Sequence, residues 1–349
     1  MTGVLKGRTS FLFVILAVAL MAAACSSEES GGGGGNANAQ EGLSGEIVVS
    51  GSSTVEPITS LVAEKFSGEN PDVSVSVDGP GTSDGFELFC KGETNISDAS
   101  RPIEAEEVQA CKKEGIDFIE VKVGIDGISV LTSPSFNEVT CLDFADMYAL
   151  VGPESKGFEN WSDANDLAEQ VGAGNAPYPD VPLDITAPGE ESGTYDTFVE
   201  FAIEPVAEEQ GLPEDQWIAR PDYTASDDDN VIIQGIGGSD SSFGWVGYAF
   251  YAQNEGTVKA FEVDGGDGCV APTQETIETK EYPMSRDLFF YVNADDAEDE
   301  TVSAFVDFYL SETGISSTTE AGYVALPEDQ FQESVDAWEN QETGSREEA

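Results

Sequence analysis

The chain has no histidine among its 349 residues, and only 14 Lys and Arg against 68 Asp and Glu. The first absence removes the commonest general base and the commonest zinc ligand. It also makes a Ser-His-Asp triad impossible. The shortage of cations excludes nucleic acid as a partner, because binding it needs a basic surface. Long apolar runs are missing too: only Phe11–Ala24 (FLFVILAVALMAAA) is continuously apolar, and it is short for a bilayer. Apolar and aromatic content are nonetheless those of a globular protein, 40% and 9%, so the charge does not imply disorder.

What is present begins with an export signature. Lys6 and Arg8 precede the apolar run, and small residues lead up to Cys25. A basic start, an apolar segment and a small-residue cleavage site make residues 1–24 a secretory signal peptide. A cysteine in that position resembles the lipobox of bacterial lipoproteins, with Ala22 where Leu is usual. The expectation is lipidation at Cys25 and attachment to the extracytoplasmic face of the cell membrane by lipid alone; simple cleavage and free secretion is the alternative. Residues 26–42 (SSEESGGGGGNANAQEG) have almost nothing to bury, so 25–44 is read as the lipidated cysteine and a flexible linker. Removing Lys6 and Arg8 with the signal leaves 12 cations against 68 acids, a formal −56. Such a surface suits a salty medium, where screening removes self-repulsion.

Four further cysteines, Cys90, Cys111, Cys141 and Cys269, are an even number in an exported chain and point to two disulfides. Of three connectivities, a local Cys90–Cys111 loop with a long Cys141–Cys269 closure is favoured over the others and over free thiols.

The patterning is that of an α/β fold with a largely parallel sheet. Glu46–Ser50 and Val73–Val77 read as strands, each followed by a glycine-rich turn and an apolar-periodic helix. Residues 95–103 are a short strand entering a loop, Glu104–Glu114 a helix, Asp117–Val123 a strand and GIDGISVLTSP another. Leu142–Leu150 and Trp161–Val171 are helical, Leu183–Ala187 a strand and Tyr195–Ile203 a helix. Asp228–Ile236 is a helix capped by its acidic start, Phe243–Tyr251 an aromatic strand, Leu288–Val292 a strand and Val302–Leu310 a helix.

Three strand-to-helix junctions are built from glycine and hydroxyl residues: Gly51-Ser52-Ser53-Thr54, Gly81-Thr82-Ser83-Asp84-Gly85 and Ser192-Gly193-Thr194. A helix start offers free N–H groups and the positive dipole end, and small hydroxyls add donors without blocking approach. That combination suits an oxyanion. A single hydroxyl before a helix is usually only a cap; three at the carboxyl ends of strands, where open α/β sheets bind ligands, argue for more. Arg101, beside Ser100 in ASRP, adds a fork for phosphate oxygens, with a salt bridge to one of the many acids as the plain alternative. Arg220 and Arg286 lie in less loop-like surroundings and read as structural.

The blocks GSSTVEPIT, GPGTSDGFELFCKGETNISDASRPI, APGEESGTYDTF and FGWVGYAF, in this order, resemble the phosphate-binding proteins of bacterial phosphate ABC transporters, the PstS family; the resemblance covers about residues 45–335. It implies a two-lobe periplasmic-binding-protein-like fold (type II), with mixed sheets and hinge strands, closing on dehydrated phosphate. Lobe 1 would take residues 45–128 plus 285–340, lobe 2 residues 129–284, with 341–349 an acidic tail. The implied ligand residues are Ser53, Thr54, Thr82, Ser83, Ser100, Arg101, Ser192, Gly193 and Thr194. Some family members carry an Arg shortly before the SGT; here Ala187-Pro188-Gly189 has none. Many have Asp where this chain has Arg101. The cation has changed lobes, and the carboxylate that would accept the phosphate proton is unassigned among Asp84, Asp98, Asp126 and Glu191.

The expected function is capture of inorganic phosphate and its delivery to the membrane permease of an ABC importer, by a monomer without metal or cofactor. A binding protein for sulfate or molybdate is the near alternative. A secreted phosphohydrolase using Ser52 or Ser53 as nucleophile is disfavoured by the missing histidines, and an adhesin or scaffold would bind no small ligand. Because a polyanion repels phosphate at a distance, capture must rest on short-range donors in a recess.

Overall fold

The computed structural model describes residues 42–190 and 192–346. The signal, Cys25 and most of the linker lie outside the described residues, as does Glu191.

The chain enters through β1 (Gly45–Gly51), α1 (Glu56–Glu69), β2 (Val73–Asp78), α2 (Thr82–Phe89), β3 (Ile96–Ala99) and α3 (Ala105–Glu114), the repeated β-turn-α order read from the sequence. β1 pairs in parallel with both β2 and β3, so the turns after β1 and β2 emerge on the same edge. On α1, Ile58, Val62 and Phe66 recur every fourth residue and are buried against the sheet. Alternation along the strands then fills both faces. Leu288, Phe290 and Val292 join the core under α1, whereas Phe289 and Tyr291 join a second core with Phe86 and Phe89 of α2.

β4 (Phe118–Thr132) is one strand where the sequence predicts two. The glycines near the expected join, Gly124 and Gly127, serve close packing. A Cβ on Gly124 would lie 2.7 Å from Thr318 Cγ2, and one on Gly127 2.9 Å from Ile277 Cδ1. The second lobe follows: β5 (Cys141–Asp143), α4 (Phe144–Val151), α5 (Asn165–Val171), β6 (Asp184–Ala187), α6 (Gly193–Phe198), α7 (Glu204–Glu209), β7 (Thr224–Ala225), α8 (Asp229–Gly237) and β8 (Ser242–Gly247). The predicted aromatic strand Phe243–Tyr251 is only half right. β8 stops at Gly247, and Tyr248–Gln253 forms α9. There the β-propensity of the aromatics yields to packing, with Tyr248 against one second-lobe core and Phe250 and Tyr251 against another.

After β9 (Lys259–Ala260), β10 (Glu262–Asp264), β11 (Cys269–Val270) and α10 (Gln274–Glu278), the chain returns along β12 (Ser285–Asn293) to α11 (Glu300–Tyr309), α12 (Glu312–Glu320) and α13 (Glu328–Glu339). The main sheet runs β2-β1-β3-β12-β4-β8-β6-β7, with β9 beside β4. β12 pairs with β4 from Phe118 to Gly127, and β8 takes over from Ile128 to Leu131. β4 thus carries the sheet from one lobe into the other.

Both favoured disulfides are present. Cys90–Cys111 ties α2 to α3, and Cys141–Cys269 joins β5 to β11, which flank β10 in a small separate sheet. Residues 344–346, expected as acidic tail, run back along β4. Gly344 N–H donates to Phe118 O at 2.8 Å, and Arg346 N–H donates to Glu120 Oε1 at 3.1 Å.

Candidate functional site

The turn after β1 is fixed by its backbone. Ser52 N–H donates to Asp98 O at 2.8 Å, tying β1 to the end of β3, and Ser52 Oγ accepts from Thr54 N–H at 3.2 Å. α1 has no side-chain cap, so the next two hydroxyls are available for other work. Ser53 Oγ donates to Asp196 Oδ2 at 2.7 Å, and Thr54 Oγ1 lies 3.1 Å from Thr197 Oγ1. Both partners belong to α6, in the other lobe. α6 also presents the third glycine-hydroxyl turn. Here the cap reading applies to one residue: Ser192 Oγ accepts from Thr194 N–H at 3.2 Å. Gly193 rests on the first turn, where a Cβ would come 2.8 Å from Ser53 O and 3.1 Å from Thr54 Cα.

The second turn meets the ASRP loop. Thr82 Oγ1 lies 3.1 Å from Ser100 Oγ and accepts from Ser100 N–H at 3.2 Å. Ser83 Oγ accepts from Arg101 Nη2 at 3.0 Å. Arg101 grips Glu107 through both terminal nitrogens, at 2.9 and 2.8 Å, and stacks over Phe86 at 5.6 Å. The predicted residues therefore form two clusters. Ser53 and Thr54 sit with Ser192–Thr194, and Thr82 and Ser83 sit with Ser100 and Arg101.

Arg286, taken from the sequence as structural, stands between them. Its Nη2 donates to Thr54 Oγ1 at 3.2 Å and to Thr197 Oγ1 at 2.9 Å, one hydroxyl from each lobe. It pairs with Glu200 through Nη1 and lies over the Phe201 ring at 5.4 Å. With Ser100, Arg101 and Lys280 it lines a cleft of 340 Å³. The one signal in the sequence was a cation just before an apolar strand. What singles it out is register, because β12 places Arg286 opposite Asp126 of β4. Arg220, by contrast, is buried in an ion pair with Asp222, at 2.7 Å, as a structural residue would be. A cavity of 840 Å³ beside β6 and α8 holds none of the predicted residues.

Pro205 helps to shape α6 and its continuation. Lacking an N–H for the ordinary helical bond, it follows a widened π-turn, Val199–Ile203, that carries Glu200 and Phe201.

The candidate acids separate by position. Asp84 is exposed on the first turn of α2. Asp126 is buried beside Arg286 and Thr197; burial raises its carboxyl, while the Arg286 charge and a Thr197 hydrogen bond pull it back. Asp98 is buried beneath the first turn, and burial pushes it up to about 7, with a Thr59 hydrogen bond opposing and Glu56 adding to the rise. An unfolded Asp titrates near 3.9, so between about pH 4 and 7 the folded chain keeps a proton that the unfolded chain has lost. Asp98 therefore costs up to about 1.4 kcal/mol of stability per pH unit as pH rises through that window. Asp98→Asn is expected to flatten the urea-midpoint profile there; superimposable profiles would refute this. Among the described residues, no cluster of three or more Cys, Asp or Glu is arranged to hold a metal ion.

The sequence model of the PBP superfamily domain matches residues 36–313. The chain is 35% identical over 291 residues to Protein SphX of Synechocystis sp., covering 82% of this chain and 80% of that protein. It is 32% identical over 298 residues to Phosphate-binding protein PstS of Staphylococcus aureus, covering 84% and 82% respectively. A crystal structure described as a possible phosphate binding protein from Planctomyces limnophilus superposes with a TM-score of 0.76 at 34% identity, over 85% of this chain and 99% of that one. An ABC-type phosphate transport receptor from Vibrio cholerae, 23% identical, shares the fold with a TM-score of 0.55, over 80% and 100%. The two-lobe α/β arrangement is the fold of these structures.

Proposed function

The chain belongs to the PstS family of solute-binding proteins, and from that premise we propose that it binds inorganic phosphate between its lobes and delivers it to an ABC importer. The observation that carries the reading is that Arg286, which bonds a hydroxyl from each lobe, Thr54 and Thr197, lines one cleft with Ser100 and Arg101. Ser53, Thr54, Thr82, Ser83, Ser100, Ser192, Gly193 and Thr194 would supply the neutral donors, and Arg101 and Arg286 the charge. Such short-range donors act inside a recess where water screens little, which is what a strongly acidic protein needs. Of the candidate acids, Asp126 is the one set beside the Arg286 cation and the Thr197 hydroxyl, and it is our choice of acceptor for the phosphate proton. An acceptor there would disfavour fully ionised sulfate.

Isothermal calorimetry should give a saturable 1:1 signal with orthophosphate that sulfate does not match; equal affinity for sulfate would defeat the phosphate reading. No hydrolysis of a chromogenic phosphate ester is expected, and turnover abolished by Ser53→Ala would defeat it altogether. The side chain of Arg101 is 29% exposed and already held by Glu107, so Arg101→Ala is expected to weaken phosphate by about tenfold, roughly 1.4 kcal/mol, less than a buried cation would. Unchanged affinity would remove Arg101 from the site. Gly193→Val would force a side chain into the Ser53–Thr54 backbone, and overpacking of about 1–3 kcal/mol should appear as weaker phosphate binding. Wild-type affinity in that variant would show that the contact is not needed for capture.

We also propose that Cys25 anchors the protein by lipid on the outer face of the membrane. Among the described residues no helix is long and apolar enough to cross a membrane. Cys25→Ala should release the protein from membranes into the medium and abolish incorporation of labelled fatty acid.

A further inference from the structure

We propose that Lys280 is a steering residue for the incoming anion, fixing the rate of capture more than the strength of holding. The inference rests on the phosphate reading of the cleft. Three cations line that cleft, Arg101, Lys280 and Arg286. The side chains of Arg101 and Arg286 are 29% and 18% exposed, and each is gripped by a carboxylate, Glu107 or Glu200. Lys280, at 43%, is the cation an arriving anion meets first. Its own partner, Asp287, is buried with a side chain only 4% exposed, so the ammonium group is the exposed member of the pair and faces the mouth.

The backbone points the same way. Just past the end of α10, Lys280 has φ +58°, a left-handed conformation that a side chain rarely adopts and that glycine or asparagine takes readily. A lysine is not what this turn requires. What it adds is an ammonium group at the cleft rim.

Electrostatics makes that placement consequential. With 68 acids against 14 cations, the protein as a whole repels phosphate, and a local field must overcome this during encounter. Such fields act on association rates and fade with salt. The screening length is about 30 Å at 0.01 M and about 3 Å at 1 M.

The test uses Lys280→Asn and Lys280→Gly, both suited to the backbone, with Lys280→Arg to restore the charge. Association and release of radiolabelled orthophosphate are followed by rapid filtration at 0.01 M and at 1 M salt. The association rate should fall about fivefold at low salt in the Asn and Gly variants. The gap should close at high salt, the release rate should stay at the wild-type value, and the Arg variant should behave as wild type. An unchanged association rate at low salt, a loss that ignores salt, or a change confined to release would each overturn the proposal. Those results come with a wild type that binds phosphate, so they leave the phosphate reading intact. A wild type that binds no phosphate removes both.

Discussion

Arg286→Ala is expected to weaken phosphate binding by about 2–5 kcal/mol, roughly thirtyfold to several thousandfold. The guanidinium is largely buried, reaches a hydroxyl in each lobe and lies within 3.7 Å of Asp126. Removing it deletes positive charge from the recess and strands a buried carboxylate, and both effects have the same sign. A double variant separates them. With Arg286→Ala and Asp126→Asn combined, the stranding penalty disappears, so thermal stability should recover while phosphate affinity stays low. Calorimetry on both variants beside melting curves is sufficient. A single variant that binds phosphate within about threefold of wild type would remove Arg286 from the site, and with it the main support for the proposed function.

Loss of the Cys141–Cys269 bridge is expected to cost about 5 kcal/mol of unfolding free energy. Its loop spans 128 residues, and closure entropy grows with the logarithm of loop length. Cys90–Cys111, with a separation of 21, should contribute about 3 kcal/mol on the same scale. Two double-serine variants compared by urea unfolding test both the sizes and the order. Phosphate affinity should survive in the Cys141/Cys269 pair, because β5, β10 and β11 form their own small sheet and none of their residues lines the cleft. If the short bridge proved the more stabilising, loop entropy would not be what governs the two bridges.

Local sequence carried most of the fold. The hydrophobic period set α1, the alternation in VSVSV set β2, and glycine-hydroxyl turns marked where strands pass into helices. Reading failed where a residue's role is decided by something far along the chain. The sequence reading split β4 after Val123, whereas the strand runs on through Gly124 and Gly127, against which Thr318 and Ile277 press from elsewhere in the chain. Tyr248 and Tyr251 have strand propensity and sit in a helix. The site divides along the same line. Thr82, Ser83, Ser100 and Arg101 are neighbours in space and were legible as motifs. Arg286 was not, since nothing near it in sequence announces a ligand. Its meaning comes from lying opposite Asp126 in a ladder whose two strands are far apart in the chain.

The continuity of β4 and β12 bears on how such a protein can open. The two strands are laced together along one lobe, and β4 then continues into the next as a shared beam. A body that swings on a beam moves most at its far edges and least at the pivot. Arg286 sits near that pivot, whereas Ser53, Thr54 and α6 ride on the arms. Opening would therefore part the hydroxyls of the two lobes while Arg286, one of the two cations, stays nearly at rest.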